Sequence, residues 1–507
     1  MAYRSEALRM DLSRTTATKD PRKGGAMQDS NGSGNGAVGS PRPPLKRNLG
    51  MTMATALVIG NMVGSGVFLL PAALAGTAGP VSILAFVFTG IGAMLLALVF
   101  ATLGRAYPQT GGPYVYARKA FGDFIGFQTA WSYWINAWVG NAAIAIAFAG
   151  YLAVFWGDAT RNWIAALIAI GLVWILTFAN ILGVREAGWI QVVTTVLKFV
   201  PLLVIGVIGL FFMDSANFEP FTLSNGFDWG ISGAALLTLW AFIGLESATV
   251  PAEEVKNPER TIPRATIFGT AATTILYIVA TVALFGMIST VALAGSSSPF
   301  AAGANVIFGG TWSGKAIAIV AMISIFGVLN GWILLQGRAP LGAAQDGLFP
   351  KRFAEVHGKR GTPVFGLVAS SVLITGLLLT NLQTSGTIVD TFTDIIIIAT
   401  LTALIPYAYA SAAQIYLFFG DRKAFSGVHL FRYSAIATLA LAYSCWAIWG
   451  AGTDAIAKGF MLLLCGIPVY IWVKWEQSRE AAKTPGLPAA APLEPVRASE
   501  FVEPGAN

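Results

Sequence analysis

Apolar runs long enough to cross about 30 Å of hydrocarbon, roughly 20 residues each, recur along almost the whole chain. They fall at about 52–76, 79–103, 124–155, 162–182, 189–212, 231–252, 265–289, 314–341, 363–382, 388–417, 432–452 and 456–475. Short polar connections separate them, so the pattern predicts an all-α membrane protein of twelve transmembrane helices. The first fifty residues are polar, with Gly, Ser and Pro enriched in "QDSNGSGNGAVGSPRPP", and contain no apolar core of signal-peptide type. Three regions result: residues 1–50 as a disordered cytoplasmic tail, 51–475 as the twelve-helix domain, and 476–507 as a second disordered cytoplasmic tail.

Charge orients this bundle. With the N-terminus in the cytoplasm, the inner side holds Arg105, Arg118, Lys119, Arg185, Lys256, Arg260, Arg264, Lys351, Arg352, Lys359, Arg360, Arg422, Lys423 and Arg432 together with both tails. The outer side keeps only Arg161, Lys315 and Lys458. Adding or omitting one helix would scramble the alternation, so the positive-inside rule supports an even count and cytoplasmic termini. The expected location is the cell inner (plasma) membrane, with the lipid bilayer as surroundings. The outer 213–230 connection is acidic instead, through Asp214, Glu219 and Asp228.

Composition narrows the function classes. Of 507 residues, 55% are hydrophobic and 11% charged, against about a quarter charged in a soluble domain, which excludes a soluble enzyme. Residues 1–51 and 476–507 hold 12 of the 32 basic and 9 of the 25 acidic residues, leaving 36 charges over the other 424 positions. A net charge of +7 would suggest nucleic acid in a soluble protein. Here the basic residues cluster in connections, so no nucleic-acid partner is expected. Cys445 and Cys465 lie inside apolar runs and form neither a disulfide framework nor a four-ligand metal site. His357 and His429 fall in polar connections. With no Ser-His-Asp, zinc or phosphate-cradling glycine-rich constellation, the chain predicts no cofactor, no metal, no enzyme and no ATP-driven pump. A channel would need a continuous polar stripe, and the charges within the spans are too few to line one.

Two spans look interrupted. The first, "TALVIGNMVGSGVFLLPAAL", carries Gly60, Gly64, Gly66 and Pro71, where Gly costs about 1 kcal/mol and Pro about 3 in a helix interior. The sixth, "ALLTLWAFIGLESATVPAEEVKNPER", has Gly244 at its middle and Glu246 two residues on. Their spacing of five helices is that of two inverted-topology repeats, helices 1–5 and 6–10, with a ligand held where both first helices break. Freed N–H groups at a half-helix start can hold a carboxylate, and freed carbonyls can accept from an ammonium. An amino acid carries both groups on one carbon. The alternative is that glycine-rich spans simply pack closely in membranes. Glu246 adds a mid-membrane carboxyl, which is costly when charged and rarely kept without a function. Its candidate roles are proton coupling, a hydrogen bond that shapes a gate, pairing with a cation, or bracing of helix 6.

Four stretches together resemble the amino acid, polyamine and organocation (APC) superfamily, and within it the basic amino acid/polyamine antiporter family. These are "GSGVFLLPAAL", "GGPYVYARKAFGDFIGFQTAWSYW", "LWAFIGLESATVPAEEVKNPERTIPRATI" and "GWILLQGRAPLGAAQDGLFP", within a likeness covering about residues 50–475. The resemblance implies a 5+5 inverted-repeat core with broken helices 1 and 6 plus two C-terminal helices, alternating-access transport of an amino acid or polyamine, and in some members a homodimer. By position it puts a substrate carboxylate at Asn61, Gly64, Ser65 and Gly66, and an α-ammonium on the carbonyls around Trp240, Ala241 and Ile243. Trp240 would be the occluding lid, Trp332 would stack on the substrate side chain, where an aromatic face suits a cation, and Asn141 would face the substrate's distal end. For the tryptophans, ordinary aromatic packing is the alternative.

Departures blur the substrate. Lys198, in "VVTTVLKFVPLLVIG" of helix 5, resembles proton-coupled permeases of the superfamily, whose ammonium stands where sodium-coupled relatives hold sodium. It favours proton-coupled symport of a broader amino-acid set, or exchange with the ammonium as a structural stand-in; the alternative is a lysine snorkelling to the interface. Asn136, Ala137 and Ala241 replace the small or hydroxyl residues of arginine/agmatine-type members. Helix 10 carries Asp390 and Asp394 one turn apart, either drawing in cations or, for Asp390, capping the helix.

Overall fold

The computed structural model describes residues 47, 49–182, 187–223, 230–358, 360–380, 386–420 and 427–483. The expected tails lie largely outside the described residues. The last helix, Gly466–Lys483, nevertheless runs past the expected boundary at 475. Among the described residues the protein is all-α, without a named strand; one isolated bridge joins Leu49 to Val255.

Nine helical stretches among the described residues are long and apolar enough to cross a membrane, and the chain is a multi-pass membrane protein. They are Met51–Thr77, Gly79–Ala106, Asp123–Leu152, Asn162–Leu182, Thr195–Phe212, Pro258–Met287, Trp312–Gln345, Ile388–Gly420 and Thr453–Glu480. Three of the twelve expected spans differ. The sixth is helical only over the ten residues Ile231–Trp240. The ninth is the 17-residue helix Val364–Thr380. The eleventh is Gly427–Trp449, whose His429 and Arg432 dilute its apolar run.

Burial ranks these segments. In the first and third, 88% and 83% of the apolar window is inside the protein, against 17% for Thr453–Glu480, so the first two are central and the last faces outward. The third segment, Asp123–Leu152, is buried almost continuously from Gly126 to Tyr151 and packs against Trp312–Gln345 and Ile388–Gly420. Apolar residues on every face suit a helix surrounded by other helices.

Both suspected interruptions have a local cause. The first segment is two helices, Met51–Met62 and Ser65–Thr77, separated at Val63 and Gly64. In the sixth, the helix ends at Trp240 and residues 241–251 are consecutive turns. The second half is therefore not an α-helix: Ile243, Leu245, Ser247 and Thr249 donate their N–H groups to carbonyls three residues back. Irregular backbone at membrane depth survives only inside protein or around a cavity, and residues 241–249 are all buried.

Candidate functional site

The two interruptions meet. A Cβ placed on Gly66 would lie 2.8 Å from Ala241 Cα and 3.3 Å from Trp240 Cδ1, a contact of backbone on backbone that only glycine permits. Across the junction, Asn61 donates Nδ2–H to Ser247 Oγ at 2.8 Å. Tyr277, fully buried on Pro258–Met287, places its hydroxyl 2.7 Å from Met62 O and 3.0 Å from Ala241 O, sharing one proton between them. Those carbonyls lie at helix ends, where the usual intrahelical donors are missing, so Tyr277 satisfies both broken segments at once.

A small cavity opens beside this junction. Asn61, Gly64, Gly66, Asn136, Trp240, Ile243 and Trp332, all singled out from sequence, line it, joined by Met62, Gly140, Ile144 and Val328. The Trp240 ring rests on the third segment: a Cβ on Gly140 would be 2.7 Å from its Cη2. Trp332 directs Nε1–H toward Asn61 O at 3.4 Å, which fixes its ring at the first break. No charged side chain belongs to the lining.

The other expected residues stand apart from the cavity wall. Ala241 is packed behind it, against Gly66. Asn141 donates to Gln336 Oε1 at 2.7 Å and is not in the lining. The Ser65 side chain lies outside the described residues. Glu246 is fully buried and is also not in the lining. Its Oε1 accepts from Tyr133 at 2.9 Å, and its Oε2 from Tyr407 at 2.6 Å and from the Gly244 N–H at 3.2 Å. The carboxyl thus ties the turns of the sixth segment to the third segment and to Ile388–Gly420.

Lys198 is 1% exposed, which overturns the interfacial reading of its side chain. Its ammonium donates to Gly60 O, one of the carbonyls left without a donor where the first helix stops. Asp390 does not reach the cavity. It sits at the third position of its helix, accepting from Thr387 N–H at 2.7 Å while its own N–H donates to Thr387 Oγ1 at 3.2 Å, a reciprocal N-terminal cap. Asp214 likewise accepts from the Ala216 N–H at 2.9 Å, and Asp228 lies outside the described residues.

Tyr133, Tyr277 and Tyr407 are the residues that sequence reading missed. Nothing in their local sequence sets them apart from other apolar-run tyrosines, because their partners lie tens to hundreds of positions away. On the third segment the cavity is lined by Asn136, Gly140 and Ile144, four residues apart and so on one helical face, and not by the expected Asn141.

An all-helical, multi-pass membrane protein whose two interrupted segments enclose a small buried cavity has the architecture of a secondary transporter rather than of an enzyme. Residues 49–472 match the amino acid permease family model, and the chain belongs to that family. It is 35% identical over 436 residues to the cadaverine/lysine antiporter of Escherichia coli (strain K12), an alignment covering 84% of this chain and 94% of the relative. It is 33% identical over 470 residues to the putative arginine/ornithine antiporter of Bacillus subtilis (strain 168), covering 85% and 98%. It is 31% identical over 443 residues to the arginine/agmatine antiporter of Chlamydia felis (strain Fe/C-56), covering 84% and 90%.

Proposed function

We propose that the protein is an alternating-access antiporter of a bacterial inner membrane, exchanging a cationic amino acid for its amine decarboxylation product. The observation that carries this reading is the cavity at the junction of the two interrupted segments, walled by Trp240 and Trp332. The half-helix start at Ser65 suits a carboxylate, and the indole faces suit a cation. Each of the three relatives is named as an antiporter with a basic amino acid, which supports the choice of substrate.

Within this reading the chain has twelve transmembrane helices. The first five and the next five segments form inverted repeats headed by the interrupted ones, the last two helices are appended, and both termini are cytoplasmic. The carboxylate of an amino-acid substrate sits at Asn61 and the 64–66 break. Its α-ammonium faces the carbonyls around Trp240, Ala241 and Ile243, Trp240 closes over it, and Trp332 stacks on the side chain. Glu246 acts through the tyrosines it holds. Direct pairing with substrate would require it to leave Tyr133 and Tyr407.

Proteoliposomes test the proposal. Labelled lysine should enter vesicles preloaded with lysine or cadaverine and should not enter empty ones. Uptake by empty vesicles under a pH gradient would overturn antiport. It would favour proton symport, a reading supported by the buried ammonium of Lys198 at the first break; Lys198→Ala would then abolish that uptake.

A further inference from the structure

We propose that the arginine-bearing end of two paired helices, Ser82–Ala106 and Pro258–Met287, binds the headgroup of an anionic phospholipid. The inference goes beyond the transport reading and does not depend on the choice of substrate. The two helices pack along each other and run antiparallel: a Cβ on Gly104 would meet Ile262, and one on Gly90 would meet Thr274. That arrangement brings the last turn of the first helix, with Arg105, to the first two turns of the second, with Arg260 and Arg264. All three arginines are exposed.

Their lack of partners sets them apart from other basic residues. Arg118 pairs with Asp123 and Asp346, Lys474 with Asp123, and Lys351 with Glu480. Among the described residues no carboxylate lies within ion-pair distance of Arg105, Arg260 or Arg264, although Glu253, Glu254 and Glu259 stand on the connection beside them. Arg260 also gains nothing from the helix that carries it. It lies in the first turn, two residues after Pro258, where a cation opposes the positive end of the helix dipole.

The helix faces that continue from these arginines point to a lipid. Arg264, Phe268 and Ile275 are spaced by one turn and then two, so they share a face, and both apolar residues are more than half exposed. Ile91 and Val87 stand about four and five turns from Arg105, so Arg105 closes an exposed apolar face in the same way. In a membrane-spanning chain such faces meet acyl chains, and an arginine that ends one sits at headgroup level. Guanidinium forks match phosphate oxygens bidentately, and basic residues between membrane helices suit anionic headgroups. A phospholipid uses both features, its phosphate on the arginines and its chains along Ile91, Phe268 and Ile275, whereas a soluble phosphate engages the arginines alone.

Native mass spectrometry of the purified full-length protein in detergent, titrated with phosphatidylglycerol or phosphatidylcholine, tests this. The wild type should retain phosphatidylglycerol more tightly. Arg105→Gln, Arg260→Gln and Arg264→Gln should each weaken that binding by about 5-fold, the effect of one basic residue at the membrane surface, and leave phosphatidylcholine unchanged. Lys458→Gln, on another segment, should change neither. If a glutamine variant does not fold, a salt titration of the wild type replaces it, because screening should loosen phosphatidylglycerol alone. Equal binding of the two lipids by the wild type, as expected of arginines that only orient the chain, overturns the proposal. So does an unchanged affinity in the folded glutamine variants, or an equal loss in Lys458→Gln. Displacement of phosphatidylglycerol by an equal concentration of glycerol phosphate, which has the headgroup phosphate without the chains, overturns the lipid as the source of the anion. None of these outcomes bears on antiport, which the proteoliposome assay decides separately.

Discussion

Gly66→Ala asks whether the two interrupted segments touch where the structure brings them together. On an unencumbered helix the change would stabilise by about 1 kcal/mol, since alanine is the better helix former. Here the new methyl would stand 2.8 Å from Ala241 Cα, 3.1 Å from Ala241 Cβ and 3.3 Å from Trp240 Cδ1. Carbon atoms rest at about 3.5–4.0 Å, so one backbone must retreat by about 1 Å, and Ala241 cannot swing aside as a flexible side chain could. Overpacking of this kind costs about 1–3 kcal/mol, which outweighs the propensity gain over most of that range. If substrate binding needs the same contact, the dissociation constant should rise by about 5- to 140-fold. Thermal unfolding of the purified protein gives the first quantity and lysine binding the second. A melting temperature equal to or above that of the wild type, with unchanged lysine affinity, would refute the close approach of the breaks.

Tyr277→Phe removes the donor shared by Met62 O and Ala241 O, and should destabilise the protein by about 1–3 kcal/mol, read as a lowered melting temperature that added substrate partly restores. Tyr133→Phe and Tyr407→Phe each take one donor from Glu246; a double-mutant cycle should give a coupling of about 0.5–3 kcal/mol, and strict additivity would show that they do not share the carboxyl. Trp332→Phe keeps an aromatic face and should retain most lysine affinity, whereas Trp332→Ala should lose the cation–π contribution, about 2 kcal/mol in a dry site, in the same binding assay. Lys351 pairs with Glu480, but both side chains are more than half exposed, so Lys351→Ala should leave the melting temperature within the range of an exposed ion pair, about 0–1 kcal/mol.

The sequence by itself determined the class of molecule and the location of its breaks. A bilayer demands roughly 20 apolar residues per crossing, and glycine and proline are costly inside a helix; both effects act locally and can be read along the chain. That is why the first interruption falls at 63–64, inside the glycine-rich run, whereas the sixth helix stops at Trp240, four residues before the expected Gly244. Tertiary structure alone decided what each break touches. Gly66 meets Ala241, Lys198 fills the orphan carbonyl of Gly60, and Tyr277 bridges both segments. Asn136 and Asn141 are both buried amides five residues apart on one helix. One helix turn is 3.6 residues, so they point to different faces: Asn141 finds Gln336, while Asn136 is left bare on the cavity wall. Which face meets a neighbour and which meets the cavity depends on how distant segments pack, and no local pattern carries that information.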